Sequence, residues 1–593
     1  PQLHLLQFSG PVQGDWLASL RLSEGVRIVS YIPENAYLVW ADQAARAGLT
    51  ELAEFSPHVQ WEGPFHPAYK LHPGFDLDYA GNVQATVQLF THAGVAASLD
   101  AITGKAVKVL KEPRQVGVYT NIAIEVPASA LADIVRLEDV TNVEPIIPDV
   151  FHGERQGQIV AGNINAAGTG PDNPGYLAWL NGLGFNTNFD FTVDVTDSGF
   201  DQGQTGAANV HQDFLDAGGA SRVTYVRRMN GTTASTANDE DRMGHGTINA
   251  AIVGGFNDTP DTAPDFAYLG DGDGYRYGLG IAPYARLGGT RIVFGSSDYT
   301  TIIDAAYADG ARISNNSWGA TAPTGSYDAV SQEYDGLVRD GRPAGAGAAP
   351  SGGEAGNQEM VIVFSAGNAG PGATTIGDRG AAAKNTITVG SSENFNATGD
   401  IDGCGEGNNS ANDIRQVIHF SSRGPTADGR SKPDIMAPGT HVFGAASQDA
   451  SFDGSVVCGS ATNDGALPAD DAYYPADPDA TDARDQDLYT WSSGTSHSAP
   501  AVAGGAALLR QWFLNNGHTP PSPAMTKAYL MNTASYMTGP ADDLPSDDLG
   551  MGQMNLGMAF DATPRLLFDQ VKTAHNTAAV DASEVFTITG QVA

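Results

Sequence analysis

The sequence predicts an α/β domain whose parallel sheet is covered by helices on both faces, with two small α+β units before it and the start of a β domain after it. Beyond about residue 156, continuous apolar runs alternate with helices of small residues, as buried parallel strands do. Before that point a weak internal repeat mixes strand and helix periodicities. The expected divisions are 1–80, 81–155, 156–562 and 563–593.

Each half of the first 155 residues has the pattern strand, helix, strand, helix, strand. Apolar residues alternate in strands such as "NIAIEVPA", and they recur at helical spacing in "ALADIVRLEDV". Each half therefore predicts a ferredoxin-like unit, with helices packed on one face of an antiparallel sheet. Two unrelated α+β segments would produce a similar pattern, and this alternative stays open.

The larger region contains apolar strands such as "DFTVDVTDSG", "MVIVFSAGN" and "NTITVGSS", between helices such as "INAAIVGG" and "AVAGGAALLRQWF". Gly- and Asp-rich loops interrupt this pattern. The final stretch, "EVFTITGQV", alternates like one more strand. A single strand is not stable alone, so we expect it to begin an appended β domain.

Composition narrows the classes of partner. The formal net charge is −37, so the surface repels nucleic acid phosphates and anionic membranes. Such acidity suits a protein that lives in salt or binds Ca²⁺, although simple solubility explains it equally well. No apolar run reaches the ~18 residues of a membrane span. The two cysteines form no zinc-binding pattern.

Candidate catalytic residues lie in the stretch "YTWSSGTSHSAP", 489–500. Ser496 lies at a predicted helix start, where backbone N–H groups favour an oxyanion. A serine needs a base, and the adjacent His497 points about 100° away along the helix, so we expect it to be a rim residue. His245, between two glycines before a helix, is the better base. Asp197, at the end of an apolar strand, is the candidate carboxylate that orients it.

The order Asp, His, Ser is one of the known orders of this triad. The blocks "DSG", "GHGT" and "GTSHSAP" closely resemble the active-site blocks of the subtilisin-like serine proteases, the subtilase family. The resemblance covers roughly 155–560. It implies that Ser496 is the nucleophile, His245 the general base and Asp197 its partner. Asn368, in "VIVFSAGNAG", would supply the oxyanion-hole amide.

The resemblance also implies a substrate-binding set around "SNNSWGA" and "SAG". Its members are Ser317, Trp318, Gly319, Ser365, Ala366, Gly367 and Gly377. The small residues near the specificity pocket favour an apolar side chain before the cut bond, but Asp378 would favour a basic one. The chain departs from the family at "GHGTINAA", where Ile248 and Asn249 replace the usual His-Val.

A subtilase of this kind implies a secreted or cell-surface endopeptidase that acts on proteins or peptides and is made as a zymogen. The N-terminal region resembles a subtilase propeptide, doubled, and would be the chain's own inhibitor. The segment 145–157 is expected to be an extended tail in the cleft. Catalysis needs no cofactor. Two alternatives stay open: a non-catalytic or self-inhibited scaffold that binds peptide, and an esterase, although the G-x-S-x-G elbow is missing.

Two further expectations concern stabilising groups. A structural Ca²⁺ is common in the family, and Asp271 and Asp273 in "DGDG" offer oxygen ligands, although a solvated acidic loop explains them as well. Cys404 and Cys458 lie in polar insertions of one presumed exported domain, so we expect them to form a disulfide. Two free buried thiols are the alternative.

Overall fold

The structure is a computed structural model that describes residues 1–145, 154–259, 274–344, 353–396, 404–458, 488–538 and 544–569, apart from 33, 73, 74, 76, 78, 117, 232, 236–238, 321, 322, 453, 455, 562, 564, 566 and 568. The chain divides into two compact units, Pro1–Pro148 and Asp149–Ala593. The expected β domain at 563–593 lies almost wholly outside the described residues. No helix in the described part is long and apolar enough to cross a membrane.

The first unit contains two copies of one topology. The elements of the first copy are β1 (Gln2–Phe8), α1 (Gly14–Leu22), β2 (Val26–Ile32), β3 (Ala36–Ala41), α2 (Gln43–Phe55) and β4 (Val59–Pro64), and α3 (Pro67–Lys70) follows it. The elements of the second copy are β5 (Asn82–Phe90), α4 (Val95–Thr103), β6 (Lys108–Val116), β7 (Tyr119–Pro127), α5 (Leu131–Ile134) and β8 (Val140–Pro145). The strand orders, β2-β3-β1-β4 and β6-β7-β5-β8, are equivalent, and all these pairings are antiparallel.

Each copy buries its own apolar core between the sheet and its helices. In the first copy Leu49 of α2 packs with Leu6 and Val39 of the strands. In the second copy Ile134 of α5 packs with Val87 and Ile124. Two ferredoxin-like α+β units, expected from the repeat, are therefore present. Each has one more strand than the sequence pattern predicted, namely β2 and β6.

The second unit is built on one large sheet. Its strands are β9 (Thr192–Asp197), β10 (Val223–Gly231), β11 (Thr233–Ser235), β12 (Arg286–Ser297), β13 (Ala311–Asn316), β14 (Val361–Ser365), β15 (Ile387–Ser392) and β16 (Ile435–Pro438). The order is β11-β10-β12-β9-β13-β14-β15-β16. All neighbours pair in parallel except β11, which joins the edge antiparallel to β10. A separate antiparallel ribbon pairs β17 (Val442–Ala445) with β18 (Tyr489–Ser492).

Helices cover both faces of this sheet. The helices are α6 (Glu154–Ala161), α7 (Tyr176–Gly182), α8 (His245–Gly254), α9 (Tyr299–Ala308), α10 (Ala329–Arg339), α11 (Thr495–Asn515), α12 (Pro523–Asn532) and α13 (Leu556–Ala559). One core joins the sheet to α8 and α11, and a second joins it to α9 and α10. The predicted fold class, a parallel sheet with helices on both faces, is confirmed. Small residues let the central part of α11, from His497 to Leu509, lie buried, as expected for "AVAGGAALL".

Candidate active site

Three elements of the second unit bring the predicted chemical residues to one edge of the sheet. β9 ends at Asp197, α8 begins with His245, and Ser496 is the second residue of α11. Functional groups in parallel sheets gather at these carboxyl ends because loops and helix starts converge there. Gly244, with φ of 85°, adopts the left-handed conformation that starts α8.

His245 and Asp197 form a short hydrogen bond. Nδ1 of His245 donates to Oδ1 of Asp197 at 2.6 Å. That bond fixes the neutral tautomer, so Nε2 is left as the acceptor nitrogen. Burial opposes the charged imidazole, but the charge and hydrogen bond of Asp197, with the charge of Asp241, outweigh it and raise the pKa of His245. His245 remains 16% exposed, which keeps one side of the ring accessible.

The Asp197 carboxylate has two further donors. The backbone N–H of Ser198 donates to Oδ1 at 2.7 Å, and Nδ2 of Asn249 donates to Oδ2 at 3.1 Å. Both carboxylate oxygens are therefore satisfied, and Asp197 itself is 3% exposed. A buried carboxylate held by three donors keeps one orientation toward the imidazole.

Asp241 is a buried acid that the sequence patterns did not single out. One oxygen accepts from Gly244 N–H at 3.0 Å and from Ser198 Oγ at 2.8 Å. The other accepts from Thr247 N–H and Thr247 Oγ1, both at 2.7 Å. Burial raises the pKa of Asp241 despite these donors. Asp241 thus anchors the first turn of α8; the sequence signal was an acid just before a helix start.

Ser496 contacts Ser317, a member of the expected substrate-binding set that follows directly after β13. Its hydroxyl donates to the carbonyl oxygen of Ser317 at 3.4 Å, and Ser317 Oγ donates to the carbonyl oxygen of Ser496 at 2.8 Å. In this arrangement the hydroxyl bonds to Ser317 and not to His245. Ser496 is half-buried and lies in the first turn of α11.

Asn368 is held in one orientation by Thr495. Its Oδ1 accepts from the Thr495 N–H at 2.9 Å and from Thr495 Oγ1 at 2.7 Å. The amide nitrogen must therefore lie on the opposite side. A Cβ added at Gly494 would lie 3.2 Å from that nitrogen and 3.8 Å from the Cβ of Ser496. The Asn368 amide and Ser496 are thus neighbours across a glycine.

These residues line one cavity of about 350 Å³. Its lining comprises Ser317, Trp318, Gly319, Ala320, Pro323, Ser365, Gly367, Asn368, Ala369, Gly377, Ala381, Thr495 and Ser496. Six of the seven expected substrate residues belong to it, and Ala366 lies fully buried behind them. Asp378 is not part of the lining, because its Oδ1 accepts from the N–H groups of Thr324 and Ser326.

Two expectations near the cleft are wrong. His497 is not a rim residue: it is 1% exposed, and its Nδ1 lies 2.9 Å from Oδ1 of Asn249. Residues 154–157 are not an extended tail, because they open the helix α6 and are all buried. Glu154 accepts three backbone N–H groups there, from Gly175, Tyr176 and Arg276. The rest of the expected tail, 146–153, lies outside the described residues.

The structure pairs Cys404 with Cys458, so the expected disulfide is confirmed. The proposed calcium ligands Asp271 and Asp273 lie outside the described residues. Within the described ranges, no group of three His, Cys, Asp or Glu side chains is arranged to hold a metal.

Comparison with known proteins decides the family. Residues 189–555, more than half of the chain, match the sequence profile of the subtilase family. The chain belongs to the subtilase family. The residues that the sequence motifs single out, from Asp197 to Ser496, all lie within the matched subtilase region. Residues 1–66, which form the first α+β copy, match a separate profile described as a domain of unknown function (DUF8729).

Individual subtilase relatives are distant. Serine protease AprX of Bacillus subtilis (strain 168) is 32% identical over 158 residues, 27% of this chain and 27% of AprX. The serine protease/ABC transporter B family protein tagD of Dictyostelium discoideum is 32% identical over 134 residues, 21% of this chain and 6% of tagD. The matched segments thus span only a minor part of these relatives' lengths.

The solved structures to which this chain is similar include two maturation proteases. The prenylagaramide maturation protease PagA is 20% identical, with a TM-score of 0.37, and the match covers 65% of this chain and 96% of PagA. The patellamide maturation protease PatA is 18% identical, with a TM-score of 0.35, and the match covers 63% of this chain and 97% of PatA.

Proposed function

We propose that this subtilase is a serine endopeptidase in which Ser496, His245 and Asp197 act as the catalytic triad. The observation that carries the proposal is the 2.6 Å bond between His245 and Asp197, with Ser496 and Asn368 lining one cleft beside it. A pairing of this kind prepares the acceptor nitrogen of His245 to take a proton from a serine.

The reaction begins with rotation of the Ser496 hydroxyl from the Ser317 carbonyl toward His245. Oγ then attacks the peptide carbonyl carbon while its proton passes to Nε2 of His245. The negative oxygen accepts bonds from the Asn368 amide and the Ser496 N–H. The C–N bond breaks, the amine leaves with the proton from His245, and an ester remains on Ser496.

Water completes the cycle in the same geometry. His245 takes a proton from the water, which attacks the ester carbonyl, and returns it to Oγ of Ser496 as the ester breaks. Asp197 stays ionised and stabilises the imidazolium at both stages. Three donors hold it in place, so little reorganisation is needed during turnover.

The specificity pocket favours an apolar residue before the scissile bond. Its wall contains Ala369, Gly377 and Ala381, which carry no charge. Asp378, the one acid that suggested a basic residue, is bonded to the 324–326 loop instead. Peptides that differ only at this position test the preference; faster cleavage after Arg or Lys than after Leu or Phe would contradict it.

We further propose that the enzyme is secreted or displayed at the cell surface and that the first unit is its inhibitory propeptide. The disulfide suits an oxidising compartment. The doubled α+β topology resembles that of subtilase propeptides, and a tethered inhibitor needs little intrinsic affinity. The boundary of removal would lie before Glu154, because α6 belongs to the core of the second unit.

Casein hydrolysis and labelling by a fluorophosphonate test the catalytic proposal together. We expect both in the protein once its first unit has been removed and neither in Ser496→Ala treated in the same way, with a loss in kcat on the order of 10⁶. The competing candidate is a peptide-binding scaffold without catalysis, which the bond from Ser496 to Ser317 favours. Peptide binding without any labelling, before and after limited proteolysis of the first unit, would support the scaffold.

A further inference from the structure

An amide side chain, that of Asn249, is buried inside the apolar helix that carries the histidine. Asn249 is fully buried, and its helical neighbours Ile248, Ala250 and Ala251 are buried and apolar. Burying an amide without partners costs several kcal/mol, so its hydrogen bonds decide whether the position is tolerated. Both ends of the Asn249 amide have a partner, and each partner comes from a different element.

The orientation of this amide follows from its partners. The Asp197 carboxylate only accepts, so the amide nitrogen faces its Oδ2 at 3.1 Å. Oδ1 of Asn249 then faces Nδ1 of His497 at 2.9 Å, and that nitrogen must carry a proton. Nδ2 of Asn249 also lies 3.3 Å from Nδ1 of His245. Both nitrogens are donors, and both donate to the Asp197 carboxylate.

Neighbouring residues contact both the ring and the backbone carbonyl of His497. Its ring is fully buried beside that of His245, with ring centroids 5.5 Å apart. Its carbonyl oxygen accepts from Nε2 of Gln156 at 3.0 Å, and Gln156 also donates to the Pro438 carbonyl at 2.7 Å. Burial, to which the charge of His245 adds, holds the pKa of His497 well below its usual range, so the ring is neutral at working pH.

We propose that Asn249 and His497 form a positioning pair for Asp197, in which His497 fixes the amide of Asn249 and the amide fixes the second carboxylate oxygen. The pair links β9, α8 and α11 in one hydrogen-bonded chain that ends beside Ser496. This inference rests on the proposed peptidase function. It concerns two polar residues outside the triad, Asn249 at the end of "GHGTIN" and His497 at the end of "GTSH".

The pair also tunes the charge that His245 experiences. The groups facing His245 are Asp197 from β9, Asp241 from the segment before α8, and His497 from α11. The Asn249 amide shares the negative charge of Asp197. Without that donor the carboxylate attracts the imidazolium more strongly, so the pKa of His245 rises. The carboxylate also loses the contact that fixes its plane.

Three variants separate positioning from packing: Asn249→Leu, His497→Met and the double variant. Leu has nearly the shape of Asn, and Met fills the space with an apolar chain. We expect the acid limb of the fluorophosphonate reaction rate to move up by about half to one pH unit in both variants that lack Asn249. His497→Met alone should move it by less than half as much.

Thermal unfolding gives the second readout. Each single variant leaves a buried partner unsatisfied and should lower Tm, whereas the double variant should lower it by less than the sum of the two. Ile252→Val, a buried change one turn further along α8, is the control that lowers Tm without moving the acid limb. Additive losses in Tm, or an acid limb that stays in place without Asn249, would overturn the pair.

A readout without catalysis keeps this test independent of the peptidase proposal. In a Ser496→Ala background with ¹⁵N-labelled histidines, the titration of His245 follows its imidazole shifts, assigned with His245→Gln. We expect its pKa to rise when Asn249→Leu is added, alone or with His497→Met. An unchanged or lowered pKa refutes the positioning pair, even if the unaltered enzyme is active. Failure of the enzyme to react after removal of its first unit refutes the peptidase alone.

Discussion

Changing Glu154 to Gln tests whether α6 is part of the second unit's structure. The carboxylate is fully buried and caps the start of α7 through Gly175 N–H at 2.7 Å and Tyr176 N–H at 2.6 Å. Its other oxygen accepts the Arg276 N–H at 2.9 Å. Gln keeps the shape, but it presents an NH₂ group to one of these donors and removes the charge from the other bonds.

The magnitude follows from these three bonds. One buried N–H left without an acceptor costs about 1–3 kcal/mol, and two charge-assisted bonds weaken to neutral ones. The variant should lose about 3 kcal/mol of unfolding free energy. With an unfolding entropy of about 2.1 cal/mol/K per residue, a unit of this size should melt roughly 3 °C lower.

Differential scanning calorimetry measures the change, with the exposed Glu51→Gln as the matched control, which should leave Tm unchanged. Removal of residues 1–153 should preserve the melting of the second unit, whereas removal of residues 1–161 should abolish it. A Glu154→Gln variant that melts with the unaltered protein would show that α6 contributes no cap, and the assignment of α6 to this unit would be wrong.

Four other outcomes are expected. Asn368→Leu should lower kcat by roughly 10²–10³ with little change in KM, and a main effect on KM would contradict the oxyanion role. The acid limb of the pH–activity profile should lie above the usual pKa of histidine, because the ion pair with Asp197 raises the pKa of His245. The contribution of this ion pair to folding stability is full below the pKa of His245 in the unfolded state and is lost as pH rises through its pKa in the folded state. Replacing both cysteines, Cys404→Ser with Cys458→Ser, removes a disulfide that joins residues 54 positions apart and should lower the free energy of unfolding by about 4 kcal/mol. Thiol counting on the denatured, unreduced form of the unaltered protein should find no free thiol. Added in trans, 82–153, the repeat that directly precedes the second unit in the chain, should inhibit the 154–593 enzyme and 1–66 should not; inhibition by 1–66 alone would contradict this.

The fold was predictable where strands are central and fully buried. β9, β14 and β15 have neighbours on both sides, so their apolar runs stand out in the sequence. β2 and β6, each at one edge of its sheet, were missed, although the opposite edge strands β4 and β8 were predicted. β6 carries Pro113 and several charges, which edge strands tolerate and central strands do not.

Those residues of the site that lie in family motifs could be predicted from the sequence. Asp197, His245 and Ser496 lie in short blocks whose order and wording are characteristic of the family. Asn249 and His497 carry no such signal, because their roles come from each other and from Asp197, far apart in the chain. α6 was missed for the same reason. Its polar residues resemble those of an exposed tail, and their burial is favourable only because residues far away in the chain bond to them.

The measurement that tests the central claim most directly is the site of fluorophosphonate attachment. Mass spectrometry of the labelled, digested protein should find one adduct, on Ser496, and its rate of formation should fall as His245 becomes protonated. His245→Ala should slow it by several orders of magnitude. An adduct on Ser493 or Ser498, or no adduct on protein whose first unit has been removed, would contradict the account.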